Sequence, residues 1–81
     1  MRVFAEIEVQ TTYCGPQKIN DVNIFAELDE HKNTGWKVDG VNGSTHYHLG
    51  YHYDKSQAID QFSKIKCRLL RAQETEAESW Q

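Results

Sequence analysis

The densest potential chemistry in this chain lies around Asn42-Gly43, where Asp39 stands before the pair and His46, His48 and His52 follow it. Alternate residues of a strand share a face. A hairpin at Asn42-Gly43 therefore sets these imidazoles and the carboxylate together on one side. Two imidazoles and a carboxylate are a donor set that holds a divalent cation when water completes the shell. His46 and His48 sit roughly 7 Å apart by strand rise, and nothing beside them supplies the Glu or Cys of a catalytic site. The competing reading makes them solvent-facing strand residues, with Asp39 and His46 as an ordinary cross-strand pair. On balance neither a metal nor another cofactor is expected.

A second cluster is cationic. Lys64, Arg68 and Arg71 recur at i, i+4 and i+7 on a segment with helical periodicity, a stripe able to follow phosphates or an acidic surface. Asp60 lies four residues before Lys64, the spacing of a helical ion pair, and Glu74, Glu76 and Glu78 follow, so a solvated charged face is the plainer reading. Cys14 and Cys67 are far apart and in no metal-binding spacing, and Cys67 has no base nearby to make it a nucleophile. There is no Gly-rich phosphate loop, no Ser-His-Asp spacing and no carboxylate pair in an evident pocket, so an enzyme is not expected.

The third cluster is apolar with an acidic rim. Phe4, Phe25 and Val41 alternate onto the solvent side of their strands among Glu6, Glu8, Glu27 and Asp29. Aromatic residues ringed by charge are how contact surfaces look. The alternative is that the two Phe residues merely pack on each other and on neighbouring side-chain stems.

The elements that must position these groups follow from periodicity. Val3, Ala5, Ile7 and Val9 alternate with polar residues, as do Val22, Ile24, Ala26 and Leu28. A helix over residues 21 to 32 is the rival for the second run. Placing a tight turn at Cys14-Gly15-Pro16-Gln17 decides for strands, because Val9 then meets Val22, Ile7 meets Ile24, Ala5 meets Ala26 and Val3 meets Leu28, with Arg2 across from Asp29. Asn42-Gly43 reads as a type I′ turn. It sets Asp39 opposite His46, Val38 opposite Tyr47 and Trp36 opposite Leu49, with Tyr51 and Tyr53 continuing the apolar face. Asp54 with Gln57 three residues on is a capping box, and Ala58, Phe62, Ile65, Leu69 and Ala72 form a helical stripe. The expected fold is a two-layer α+β domain: a four-stranded antiparallel β-meander (strands at about 2–12, 19–29, 35–41 and 44–53) under one C-terminal amphipathic helix (about 55–73), with a frayed acidic tail over 74–81.

Composition bounds what such a domain does. Its 81 residues leave room for one small core, and 38% hydrophobic with 26% charged residues fits a folded, water-soluble chain. A net charge of −3 argues against nucleic-acid affinity from bulk charge. No apolar run is long enough to span a bilayer, and the acid at Glu6 does not fit a signal peptide, so a cytoplasmic protein with free thiols is expected.

From Asn42-Gly43 through the Tyr- and His-rich strand into Asp54-Lys55-Ser56-Gln57-Ala58-Ile59-Asp60, roughly a third of the chain, the sequence resembles the close of ribosome-hibernation factors, whose last strands also feed an amphipathic helix. It departs from them in having a turn at Gly15-Pro16 where they have a helix, and in a basic face of only Lys64, Arg68 and Arg71. The strands-then-helix order also resembles a double-stranded-RNA-binding domain, with Lys55-Ser56-Gln57 in place of its lysine pair. These resemblances imply an RNA- or ribosome-associated binder. The residues themselves favour a non-enzymatic module that covers a protein partner with the Phe4/Phe25 face, its acids selecting a basic or nucleic-acid-associated partner. Self-association as a homodimer through the same face is the variant. By analogy, small acidic proteins without catalytic chemistry are typical of phage and mobile-element accessory genes that block a host machine stoichiometrically.

Overall fold

A computed structural model describes residues 5–79, with the side chains of the last helix described as far as Glu74. Arg2, Val3 and Phe4 lie outside the described residues. The order is β1 (Ile7–Gln10), β2 (Pro16–Ile19), β3 (Asp21–Leu28), β4 (Thr34–Asn42), β5 (Thr45–His52) and α1 (Lys55–Ser79). The class is α+β with antiparallel sheets and one C-terminal helix, as expected. The four-stranded meander is not observed: β1 and β2 form a two-stranded sheet of their own, and β3, β4 and β5 form a three-stranded one.

The first hairpin explains the difference. Its turn is Thr11–Gly15 rather than Cys14–Gln17. The Thr11 hydroxyl donates to the Gly15 carbonyl (2.7 Å) and accepts from the Cys14 N–H (2.9 Å), while Gly15 takes a left-handed φ of 67°. This side-chain-built turn pairs Ile7 with Ile19, Glu8 with Lys18 and Val9 with Gln17. Val9 therefore does not face Val22, nor Ile7 Ile24. Asn20 ends the short ribbon, its N–H donating to the Val41 carbonyl at 2.8 Å, and the chain passes directly into β3. Residues 21–28 are a strand and not a helix, but their partner is β4, from Asp21↔Val41 to Leu28↔Thr34.

The second turn is built on Asp29, which receives the His31 and Asn33 N–H groups on Oδ1, both at 2.8 Å, and lets Lys32 take a φ of 63°. At the third, Asn42 pairs with Thr45, so Gly43-Ser44 and not Asn42-Gly43 form the two-residue loop. Of those two only Gly43 has a positive φ (62°), which is type II′ geometry. Asn42 is held in the strand because its amide donates to Glu6 Oε2 (2.7 Å) and the Lys18 carbonyl (2.9 Å). The shift moves every β4–β5 pair: Val41 faces His46, and Asp39 faces His48 instead of His46.

A β-bulge then changes the parity of β5. Between Val38 and Asp39 the register slips, leaving Leu49 and Gly50 together opposite Val38. Tyr47 and Leu49 point to the core, but after the bulge Gly50 and His52 do so, and Tyr51 and Tyr53 emerge on the other side. The expected continuation of the apolar face through Tyr51 and Tyr53 is thus overturned.

The hairpin and the helix cover the same face of the three-stranded sheet. A Cβ on Gly40 would meet Ile19 of the hairpin, and one on Gly50 would meet Gln61 of the helix. Val9, Ile19, Val22, Val38, Leu49, Ala58, Ile65 and Leu69 form one buried cluster between them, with each large aliphatic side chain stabilising the fold by about 1.5–3 kcal/mol. Asp54 caps α1, accepting from the Ser56 N–H (2.9 Å) and hydroxyl (2.7 Å), but no Gln57 side-chain bond back to Asp54 completes a capping box among the described residues. The helix continues to Ser79, so the segment read as a frayed tail from residue 74 is helical as far as that residue.

Candidate functional site

With both covering elements on one side, the other face of the β3–β4–β5 sheet carries no described helix or strand, and the turn of the first hairpin reaches it at Thr12 and Tyr13 beside His48. Across it run Asp21, Val41 and His46; then Asn23, Asp39 and His48; then Phe25, Lys37 and Tyr51; with Glu27 and Gly35 below. Gly35 has a steric purpose here, since any Cβ would collide with the Tyr51 ring, which lies across it. Over that gap the Tyr51 hydroxyl reaches the Glu27 carbonyl at 2.6 Å. Tyr53 packs edge-on against Tyr51 (centroids 5.4 Å apart) and donates to Asp29 Oδ2 at 2.8 Å. The Lys37 ammonium stands 5.9 Å from the Phe25 ring centre and 3.9 Å from Asp39 Oδ1. Phe25 remains 40% exposed and Tyr53 64%. The result is an aromatic row, Phe25–Tyr51–Tyr53, threaded by one cation.

The titratable groups of this row are tied to one another. Hydrogen bonds from the Asn33 backbone, then from the Tyr53 hydroxyl, hold the Asp29 carboxyl below its ordinary range. Donation to Asp29, reinforced by desolvation, pushes the Tyr53 phenol up, and burial followed by the charges of Asp29 and Glu27 does the same for Tyr51.

The acidic-rimmed surface read from the sequence is divided. Phe25, Glu27 and Val41 stand on this open face. Asp29 stands at its end but is committed to the β3–β4 turn. Glu6 and Glu8 belong to the hairpin, Glu6 bound to Asn42 and the Glu8 carbonyl accepting from Arg68 Nη2 at 2.9 Å. Phe4 lies outside the described residues. Lys37, Tyr51 and Tyr53 join the site, two of them hidden from pattern reading by the bulge; the signal that could have found them is Gly50, a residue that often marks a bulge within a strand.

The histidines separate as well. His46 and His48 are on the open face, but His52 turns to the helix, where its Nε2 lies 2.7 Å from Gln61 Oε1. His48 Nδ1 is hydrogen-bonded to Thr12 Oγ1 (2.8 Å), and its ring packs on Tyr13. Asp39 is 7% exposed, and its Oδ1 is buried without a hydrogen-bond partner among the described residues. No set of three His, Cys, Asp or Glu residues converges on a metal position among the described residues.

On the helix, Lys64 is paired with Asp60 at 2.9 Å and Arg68 holds the hairpin backbone, which leaves Arg71 as an exposed member of the stripe. Both cysteines are exposed free thiols. A depression of about 480 Å³ lined by Asn20, Asp21, Val41, Gly43, Lys66 and Gln73 contains one acid and one amine, already joined as Lys66–Asp21 at 3.5 Å. No described helix is long and apolar enough to cross a membrane. Comparison with protein families, curated proteins and solved structures finds no match to this chain.

Proposed function

We propose that this chain is a non-enzymatic protein-binding module that acts by stoichiometric coverage of its partner, using the open face of the β3–β4–β5 sheet. The observation that carries the reading is the row Phe25–Tyr51–Tyr53. It lies where neither the helix nor the hairpin reaches, and Phe25 at its edge is 40% exposed. Tyrosine and phenylalanine give large contact area, and both are enriched in the buried core of protein interfaces. Lys37 stands between Asp39 and Phe25 on this face, its ammonium 3.9 Å from the carboxylate and 5.9 Å from the ring centre. Glu27 is the acid of this face without an ion-pair partner among the described residues, and it favours a basic contact.

The test is affinity capture from the native host with the wild-type chain and Phe25→Ala, followed by Kd measurement on the captured partner. Loss of an aromatic anchor costs about 2 kcal/mol or more, a weakening of about thirtyfold. Because Phe25 is turned away from the core, the variant is expected to keep its melting temperature. Full binding by folded Phe25→Ala, together with steeply salt-dependent binding lost in Lys64→Glu/Arg68→Glu, would move the function to the helix and to nucleic acid.

A further inference from the structure

Among the described residues, the same sheet has an open edge. β3 runs eight residues and pairs with β4 alone among the described strands. Across the turn the Asp29 N–H donates to the Asn33 carbonyl at 2.9 Å. In an antiparallel ladder bonded and unbonded pairs alternate. Counting back from Asp29, the odd-numbered residues of β3 therefore turn their backbone groups to β4. The even-numbered residues, Val22, Ile24, Ala26 and Leu28, turn theirs outward. The Val22 N–H is taken by the Asp21 carboxylate at 2.8 Å, so the open stretch begins at Ile24.

Edge strands are normally blunted by Lys, Pro, a bulge or a covering element. β5, at the opposite edge, has such protection: it carries the bulge, and its His48 carbonyl accepts the Thr12 N–H at 2.9 Å. β3 has no Lys, Arg or Pro and no break in register. From Phe25 to Leu28 all four residues are exposed, Leu28 at 59%, so the helix layer stops short of this half of the strand.

Charge selects the occupant. Residues 21–30 carry Asp21, Glu27, Asp29 and Glu30 and no Lys or Arg. An antiparallel second copy would bring together two strands that each carry four acids and no base over residues 21–30, and like charges across a strand pair are destabilising. We propose that β3 receives an extended basic segment of a partner protein as a fourth strand of this sheet. Its main chain pairs with Ile24, Ala26 and Leu28, and its Lys or Arg side chains stand beside Glu27 on the aromatic face. This rests on the protein-binding reading above and states how the partner attaches.

The probe is a capped octapeptide alternating lysine and valine, compared with its glutamate–valine counterpart and with a lysine–valine peptide N-methylated at every second residue. Amide exchange and peptide titration are followed by NMR. The expected result is slowed exchange at Ile24, Ala26 and Leu28 with the lysine–valine peptide, and with neither control. Ala26→Pro removes an outward N–H that β4 does not use, and is expected to weaken the peptide at least about tenfold while keeping the melting transition. Should that variant unfold, Glu27→Lys serves instead; its side chain is exposed, and it is expected to weaken the lysine peptide about threefold or more. Binding that is equal for the N-methylated peptide, or that leaves the three amides unprotected, would overturn the proposal. So would a homodimer whose formation is lost in Ala26→Pro. Partner capture that survives Ala26→Pro but fails with Phe25→Ala would refute strand addition while leaving the face reading intact.

Discussion

Substituting Gly40 by Ala tests the seating of the hairpin on the sheet, on which the whole arrangement of faces depends. The new Cβ would stand 2.8 Å from Ile19 Cγ2 and 3.2 Å from both Ile19 Cδ1 and Leu49 Cδ1. Carbon atoms prefer about 3.5–4.0 Å, so the deepest overlap is on the order of 1 Å. Neither neighbour can yield easily, because Ile19 is fully buried and Leu49 is 8% exposed. Relief requires the hairpin to lift, and overpacking of this kind costs about 1–3 kcal/mol. Alanine reduces the freedom of the unfolded chain and returns about 0.4–1 kcal/mol. The net loss is about 1–2 kcal/mol, a fall in Tm of about 5–15 °C for a domain of this size. Urea unfolding followed by far-UV circular dichroism measures it, and a double-mutant cycle identifies the contact. In an Ile19→Ala background the deepest overlap is gone and the added methyl enters the vacated space, so it is expected to cost clearly less, the Leu49 contact remaining. A neutral Gly40→Ala, or the same cost in both backgrounds, would refute the packing of the hairpin against β4.

The phenols of Tyr51 and Tyr53 and the carboxyls of Asp29 and of the helix cap Asp54 are expected to make stability depend on pH at both ends. Tyr51 and Tyr53 are raised above the ordinary value near 10, so the stability they contribute is present below that pH and lost as pH rises through their folded values. Asp29 and Asp54 are lowered, so theirs is present above about pH 4 and lost as pH falls through the folded values. Melting temperatures across pH are expected to fall at both ends, and Tyr51→Phe/Tyr53→Phe should flatten the alkaline arm; an unchanged arm would contradict the shared network. Excess zinc is expected to leave Tm unmoved, because His48 is engaged by Thr12 and Asp39 Oδ1 is closed to solvent. A rise that disappears in His46→Ala/His48→Ala would show a metal site instead.

Four of the five strands and the start of the helix could be read from periodicity and capping, because both are local; β2 (Pro16–Ile19) could not, because Gly15-Pro16 reads as the turn itself. Alternation at Val22–Ile24 and the Asp54 cap depend on residues a few positions apart. Partner choice is not local. The apolar residues of the first strand match those of β3 as well as they match Ile19, and the decision falls to one hydroxyl, Thr11, which closes a turn nearer the N-terminus than Gly15-Pro16 suggests. Likewise Asn42-Gly43 and Gly43-Ser44 are both acceptable hairpin loops. What separates them is the long-range anchoring of the Asn42 amide by Glu6 and the Lys18 carbonyl. Of the candidate surface, Phe25, Glu27 and Val41 were legible because they keep the parity of a regular strand. Tyr51 and Tyr53 were not, because they lie beyond a register slip.

That slip at Leu49 converts the fold into a surface. With regular alternation Tyr51 and Tyr53 would lie under the helix beside Trp36, and His52 would join His46 and His48 outside, giving a face of imidazoles and acids. One extra residue reverses both outcomes. His52 is turned inward to meet Gln61, whose amide also donates to the Leu49 carbonyl at 3.1 Å, so the helix fastens the bulged strand at the point where its ladder is broken. Gly50 leaves the space that Gln61 occupies, and Gly35 leaves the space across which Tyr51 lies. The two glycines thus accommodate the slip on opposite faces of the sheet. Tyr51 and Tyr53 are fixed in turn by hydrogen bonds to the Glu27 carbonyl and to Asp29, so the partner proposed above would meet a surface already ordered. Little conformational entropy remains to be lost there on binding, which is the condition under which a small contact area gives useful affinity.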